Sequence, residues 1–412
     1  MYQMNIKYIP FQISKTDIFI HFILFVSLDI LPLFPNYTWL STMILLPLMA
    51  ILLPFKDGFY KLYADLFVKR IFIIFLFAVL SIVFAANMQY YFREIKGFLG
   101  IIVIFIIGVS MLKRNINNIW ILYVILMFKF IIMVYYTYKT GVISSFNPDF
   151  GRLQSGAEVG INANAYGYFT FVALYAIGAI MIINNKQIYK FLFLTIFLIG
   201  AYINILAASR AGFLFTILST VSIYIASSFK NWKGLYYKIL VVIIILSFFL
   251  VKESSIFEKL IIFQRYTSFA ESGQDQRLVI LKNGLTLIGK YPFGIGAGQF
   301  EPLMVNFSNL GIIAAAHNSF ILVGANYGII ALIVFLAVFH FFIKNSIKNI
   351  KSKNMLIRRY GIMFFTFGIL FFFYNFFYNM ILNLYIMLMF LLVNLHQNLL
   401  IKGIIPSISK NK

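Results

Sequence analysis

Long apolar runs separated by short polar segments dominate the pattern of this chain. A membrane-crossing helix needs about 20 mostly apolar residues, and about twelve runs approach or exceed that length. They lie near residues 18–34, 38–55, 67–86, 97–112, 118–138, 159–183, 190–208, 211–229, 238–251, 312–343, 360–382 and 383–401. This pattern predicts an all-α polytopic membrane protein with about 12 transmembrane helices.

The basic residues are distributed unevenly among the segments between these runs. If the N-terminus lies inside, most of the 34 Lys and Arg residues fall on the inner side and most of the 12 acidic residues on the outer side. Basic residues favour the cytoplasmic side, so both termini are predicted to be cytoplasmic. The net charge of +22 then mainly reflects topology and faces anionic membrane lipids, and we expect no nucleic-acid partner.

One outer segment is much longer than the others. Residues 252–311 separate predicted helices 9 and 10, and within 274–289 four apolar residues recur at helical spacing: Leu278, Leu281, Leu285 and Ile288. This spacing predicts an amphipathic helix on the membrane surface or on the bundle. We therefore divide one integral membrane domain into helices 1–9 (1–251), a large, partly helical extracytoplasmic loop (252–311), and helices 10–12 with a cytoplasmic tail (312–412).

Several arginines on the predicted outer side could bind a phosphate. Arg210 lies at a short outer turn and begins the next helix, where its charge adds to the positive end of the helix dipole. Arg277 precedes the amphipathic helix, and Arg265 lies upstream of it. A guanidinium can bind a phosphate with two hydrogen bonds, although each residue could equally be an interfacial or solvated charge.

His317 and Asn318 precede the tenth apolar run. A helix that ends near Ile343 needs to begin only near Ile321 to cross a hydrocarbon core of about 30 Å. His317 is therefore predicted to lie about one helical turn outside that core. A neutral imidazole there could accept a proton from a hydroxyl, and a polar helix cap is the structural alternative.

Other polar residues point to less specific roles. Glu158, Asn162 and Asn164 could bind sugar hydroxyls or cap the sixth helix. Asp29 and Lys129 lie inside predicted helices, where charge is costly, and pairing with each other or with a helix carbonyl is favoured over an ion path. The chain lacks cysteine, the phosphate-binding G-x-x-x-x-G-K-[ST] pattern and the HExxH zinc pattern. We therefore predict no metal and no cofactor.

Four segments, in order along the chain, carry a family resemblance. They are GINANAYGYF, SRAG, SGQDQRLVILKNGLTLIGKYPFGIGAGQF and HNSFILVGANYG. They resemble the O-antigen polymerase/ligase (Wzy_C-type) family of bacterial envelope glycosyltransferases, whose arginine helix precedes P-x-G-x-G-x-G-x-F and whose histidine motif follows. The family often has Trp four positions after the arginine, where this chain has Leu281.

The resemblance implies transfer of a glycan from undecaprenyl pyrophosphate to an acceptor hydroxyl on the outer face of the bacterial cytoplasmic membrane, without a nucleotide sugar or a metal. The family's arginines and histidine correspond here to Arg210, Arg277 and His317. A polymerase of O-antigen, capsule or exopolysaccharide repeat units is preferred to an O-antigen ligase acting on lipid A core, because polymerases are very diverse and only short motifs match. A chain-length regulator is a candidate partner. The alternative of another class is a lipid-linked oligosaccharide flippase, which predicts internal repeats and helices broken near the midplane.

Overall fold

The computed structural model describes residues 7–9, 12–30, 44–55, 66–139, 146–147, 152–153, 165–207, 209–229, 276–307 and 316–406. The α-helices in this part of the chain are α1 (Lys15–Phe25), α2 (Leu46–Phe55), α3 (Leu66–Leu80), α4 (Met88–Arg114), α5 (Asn118–Lys139), α6 (Ala165–Ile183), α7 (Gln187–Leu206), α8 (Arg210–Ser228), α9 (Gln276–Lys290), α10 (Phe300–Phe307), α11 (Ser319–Tyr327), α12 (Ile329–Ile350), α13 (Met355–Tyr374) and α14 (Leu384–Ile401). Strand β1 (Lys7–Ile9) pairs in parallel with β4 (Ile404–Pro406), and β2 (Phe146–Asn147) pairs antiparallel with β3 (Arg152–Leu153).

Within the described residues, nine helices are long and apolar enough to cross a membrane, namely α3 extended by the 3-10 turn Ser81–Phe84, α4 to α8, and α12 to α14. This confirms the all-α polytopic membrane class. The predicted helices at 18–34 and 38–55 are described only to residue 30 and from residue 44, and 238–251 lies outside the described residues. Helix α4 begins nine residues before its predicted apolar run because Asn87 caps it, accepting hydrogen bonds from the backbone of Gln89 and Tyr90.

Both ends of the described chain meet on one side of the bundle, where β1 pairs with β4. On this side the Arg114 guanidinium donates a hydrogen bond to Asp17 at 2.8 Å, and Arg359 donates to the Phe229 carbonyl at 3.0 Å. The opposite side, which we call the distal side, carries the α3–α4, α7–α8 and α13–α14 turns. Lys7 and Pro406, near the two ends of the described chain, therefore lie on the same side. The prediction that both termini are cytoplasmic stays a prediction from the charges.

The apolar run at 312–343 contains two helices rather than one. α11 ends at Tyr327, Gly328 has φ 94° and ψ 169°, and α12 begins at Ile329. α12 alone has 22 residues and is about 33 Å long, which suffices to cross the bilayer. The prediction that this helix begins near Ile321 and ends near Ile343 is wrong by about two turns. The cause is the positive φ that glycine permits, which an apolar pattern does not register.

α11 is a buried helix that lies across the distal side. All nine of its residues are buried. At its N-terminal end, the Ser319 backbone N–H donates to the Asn375 carbonyl at 2.8 Å. At its C-terminal end, the side chains of Asn326 and Tyr327 donate to Glu94 of α4. α11 therefore connects the turn after α13 with α4, and α12 is the helix that is long enough to cross the membrane.

α9 packs against α11 with both helices running in the same direction. A Cβ added to Gly284 of α9 would contact Ile321, and a Cβ added to Gly324 of α11 would lie 2.7 Å from Ile288. A contact that lies further along α9 therefore also lies further along α11. The N-terminal end of α9 lies toward the N-terminal end of α11 as a result.

The amphipathic pattern predicted the extent of α9 better than its buried face. The helix at 274–289 is observed as Gln276–Lys290. Leu285, part of the predicted apolar face, is 58% exposed, whereas Ile280 and Leu287 are buried. The face is rotated because Gly284 permits the close approach to α11, and a glycine contributes nothing to a hydrophobic pattern.

The glycine-rich turn between α9 and α10 packs its backbone closely against neighbouring segments. Gly294, Gly296 and Gly298 have φ values of 92°, 101° and 73°, which residues with a Cβ rarely adopt. A Cβ on Gly294 would lie 2.5 Å from the Asn326 carbonyl oxygen, and one on Gly296 would lie 2.8 Å from the Ala85 Cα. These glycines therefore let the turn fit between α11 and the α3–α4 turn.

Candidate functional site

The segment that leads into α11 has a strained backbone. His317 has φ 45°, the only positive φ of a non-glycine residue in the described part of the chain. A left-handed conformation costs such a residue about 1–2 kcal/mol, and strain of this kind collects at functional sites. The side-chain oxygen of Asn318 accepts hydrogen bonds from the backbone of Phe320 at 2.9 Å and Ile321 at 3.1 Å. The cap of α11 is therefore Asn318, and a substrate contact by Asn318 stays a prediction.

The turn after α13, residues 375–380, holds this segment in place. The Ser319 hydroxyl donates to the Tyr378 carbonyl at 3.0 Å, and the Ser319 N–H donates to the Asn375 carbonyl at 2.8 Å. The Asn318 N–H donates to the side-chain oxygen of Asn379 at 3.0 Å. The 375–380 turn therefore fixes the backbone on which the histidine is mounted.

Arg210 is the first residue of α8, and three residues separate it from the end of α7. The Ser209 hydroxyl caps the helix by accepting a hydrogen bond from the Gly212 N–H at 3.3 Å. A Cβ on Gly167 of α6 would lie 2.5 Å from the Gly212 Cα, so two glycines bring α6 against the start of α8. The prediction that Arg210 begins a helix after a short turn is confirmed.

The end of α13 connects the start of α8 with the histidine segment. The ring of Tyr374 packs against Phe215 of α8 with centroids 4.3 Å apart, and its hydroxyl lies beside Gly167. The next residue, Asn375, accepts the hydrogen bond from Ser319. The two halves of the predicted site therefore lie on elements that contact a common neighbour.

Arg277 is the second residue of α9. Because α9 and α11 run in parallel with Gly284 against Ile321, Ile280 lies near the level of His317. Arg277 comes one turn earlier, about 4.5 Å further along the axis. The N-terminal end of α9, with the positive end of its dipole, is therefore directed toward the end of α11 that carries His317.

The remaining predicted substrate-binding residues lie outside the described residues, namely Glu158, Asn162, Asn164 and Arg265. Their roles stay predictions. Among the described positions, the structure places the starts of α8, α9 and α11 on the distal side.

The charged residues inside the membrane form a local pair. The Lys129 ammonium donates to the Leu28 carbonyl at 2.7 Å and lies 4.0 Å from the Asp29 carboxylate. Both side chains are largely shielded from solvent. This is the pairing with a helix carbonyl and with each other that the sequence favoured over an ion path.

The sequence reasoning missed Glu94. Its carboxylate accepts hydrogen bonds from the Tyr327 hydroxyl at 2.6 Å and from the Asn326 side chain at 2.9 Å, and it interacts with the backbone N–H of Gly298. A signal was available, because Glu94 is one of only 12 acidic residues and precedes the apolar run at 97–112. It contacts the end of α11 that is remote from His317, so it holds the C-terminal end of α11 against α4.

A comparison with protein families gives a match to the middle of the chain. Residues 195–336 match the family model Wzy_C, described as O-antigen ligase. We call these residues the Wzy_C region. The match confirms the family resemblance that the sequence motifs suggested. No curated protein matches the chain.

The Wzy_C region begins within α7 and ends within α12, and it includes Arg210, Arg277 and His317. It supports a function of the O-antigen ligase or polymerase type on lipid-linked oligosaccharides. Helix N-termini stabilise phosphate charge, so the starts of α8, α9 and α11 suit a phosphate-containing donor. The 375–380 turn lies outside the matched residues.

Proposed function

We propose that the protein is a polymerase of surface-polysaccharide repeat units in the bacterial inner membrane, with both termini cytoplasmic. It transfers a glycan from undecaprenyl pyrophosphate to an acceptor sugar hydroxyl on the distal side, which is then the outer face. The main support is that the Wzy_C match includes Arg210, Arg277 and His317, and these residues lie at or just before the starts of α8, α9 and α11.

In the proposed reaction, the acceptor oxygen bonds to the anomeric carbon of the donor while the bond from that carbon to the pyrophosphate oxygen breaks. The electron pair leaves with the pyrophosphate, and the configuration inverts. Arg210, Arg277 and the helix N-termini stabilise the negative charge that develops on the leaving group. His317 either accepts the hydroxyl proton as a base or binds a phosphate oxygen, in which case the proton passes to the leaving pyrophosphate.

An apolar groove beside α8 suits the lipid part of this donor. The groove has a volume of about 490 Å³ and lies between α8 and α13. On α8 its lining begins at Leu218, about 12 Å along the helix from Arg210. A pyrophosphate at the start of α8 could therefore direct its polyprenyl chain along the helix into apolar surroundings.

An O-antigen ligase, with a lipid A core sugar as acceptor, is the second candidate, because the matched family is described by that activity. A flippase receives less support. The helix break at Gly328 lies at the end of the full-length α12, whereas a transporter is expected to break helices near the bilayer midplane.

Deletion of the gene in its native host, followed by complementation, tests this proposal. Arg210→Ala, Arg277→Ala and His317→Ala should each lower the transfer rate by about 10²–10³. Arg93→Ala and His340→Ala are matched controls on exposed positions and should complement fully. Loss of a polymerase leaves single repeat units on the final acceptor, whereas loss of a ligase leaves polymer on the lipid carrier. Full complementation by all three site variants would exclude the site.

The pH profile of the purified enzyme separates the two roles of His317. A base must be neutral, so protonation of the imidazole at low pH should lower the transfer rate. A cationic phosphate ligand should instead lose activity at high pH, when the imidazole loses its proton. In either case His317→Gln should remove this limb of the profile, and an unchanged profile contradicts both roles.

A further inference from the structure

The strained backbone at His317 is restrained by a side chain from outside the Wzy_C region. The Asn318 N–H donates to the side-chain oxygen of Asn379 at 3.0 Å. This N–H belongs to the peptide group that immediately follows His317. The orientation of that peptide group determines ψ of His317, whose φ is 45°. Asn379 therefore acts directly on the backbone that mounts the imidazole.

Three further hydrogen bonds join the 375–380 turn to the same segment. Ser319 donates through its N–H to Asn375 and through its hydroxyl to Tyr378, and its hydroxyl accepts from the Met380 N–H at 2.8 Å. In all three, the group from the turn is a backbone group. Of these four described hydrogen bonds, only the one to Asn379 uses a side chain of the turn. A substitution can therefore remove this bond without changing a backbone group.

We propose that Asn379 is a positioning residue for His317 in the glycan transfer reaction, which makes this inference dependent on the proposed function. A left-handed backbone is unfavourable for a residue with a Cβ, so the segment needs restraints to keep this conformation. Without the bond to Asn379, the peptide group can rotate and move the imidazole. A displacement of about 1 Å at a reacting group can lower a rate by about 100-fold.

Kinetics of the full-length protein in lipid nanodiscs test this role, with an undecaprenyl-pyrophosphate-linked oligosaccharide as donor. Asn379→Ala should lower kcat by about 10- to 100-fold and leave the KM of the donor nearly unchanged. Asn379→Asp keeps the accepting oxygen and should retain most of kcat. Any repulsion between its added charge and the pyrophosphate should appear in KM. Asn383→Ala is the matched control, because Asn383 caps α14 in the same loop, and its kcat should be unchanged.

A double-mutant cycle with His317→Ala distinguishes a positioning residue from one that contacts the substrate. If Asn379 acts only through His317, adding Asn379→Ala to His317→Ala should cause no further loss of rate. If the rate losses of the two single variants multiply in the double variant, the inference is wrong and Asn379 contacts the substrate independently. A wild-type kcat in Asn379→Ala, or a low kcat in Asn379→Asp, overturns it as well.

The proposed function can fail separately. If His317→Ala keeps the wild-type rate, the proposed site is wrong and the role of Asn379 is wrong with it. If His317→Ala is impaired while Asn379→Ala is not, only the inference on Asn379 is wrong. Should Asn379→Ala fail to give monodisperse protein, Asn379→Asp and Asn379→Gln decide. The aspartate should be active and the longer glutamine, which displaces the oxygen, should lose kcat. Equal activities contradict the inference.

Discussion

Replacing Glu94 with alanine removes the carboxylate that ties the C-terminal end of α11 to α4. One oxygen of this carboxylate accepts hydrogen bonds from the Tyr327 hydroxyl at 2.6 Å and the Asn326 amide at 2.9 Å. Both donors are buried to at least 99%. Alanine offers neither of them an acceptor, so both lose the partner that the structure gives them.

The expected loss of stability follows from these two donors. A buried donor that loses its partner costs about 1–3 kcal/mol, so Glu94→Ala should cost about 2–6 kcal/mol in total. Glu94→Gln keeps an oxygen that can accept from Tyr327 and Asn326. It loses the charge assistance, which corresponds to about 1 kcal/mol for each hydrogen bond, and it has one accepting oxygen fewer to share with the Gly298 N–H.

Thermal stability in detergent checks this prediction, with the fraction of monodisperse protein measured after heating. The midpoint should fall slightly for Glu94→Gln and strongly for Glu94→Ala, whereas Arg93→Ala, an exposed neighbour on α4, should match the wild type. Equal midpoints for the alanine and glutamine variants would show that the charge, and not the accepting oxygen, is what matters. Since α11 separates Glu94 from His317 by about 13 Å, folded Glu94→Gln should retain the wild-type transfer rate.

Two further predictions concern residues remote from the proposed chemistry. Gly298 has φ 73°, and Gly298→Ala places a Cβ against a backbone oxygen of α4. The left-handed backbone alone costs about 1–2 kcal/mol. Because the clash adds to this strain, the melting midpoint should fall by more than the strain alone implies. Gly289→Ala, which meets nothing within 4 Å, should leave the midpoint unchanged, and an equal loss in both variants contradicts this account. Lys129→Met leaves Asp29 buried without its counter-charge and should cost about 3–5 kcal/mol. Adding Asp29→Asn should restore part of the melting midpoint, and no recovery would mean that the pair does not stabilise the bundle.

The charge distribution and the short motifs predicted features beyond the positions of the membrane helices. The excess of basic residues on one side predicted that both termini are cytoplasmic, which stays a prediction, and β1 pairs with β4 near the two ends of the described chain. The motifs identified Arg210, Arg277 and His317 as candidates, and a helix begins at or near each of them. Helix starts have local signals, such as the caps at Ser209 and Asn318, so single segments of sequence suffice to predict them.

The sequence by itself determined which segments are membrane helices, because the bilayer requires length and apolar character in one continuous stretch. Only the tertiary structure decided the break at Gly328, the buried face of α9, and the contacts of Glu94 and Asn379. Each of these depends on an approach between distant segments, as between Glu94 and Tyr327, which lie 233 residues apart. A local pattern records the character of each segment, but it does not record which backbone groups meet when the helices pack.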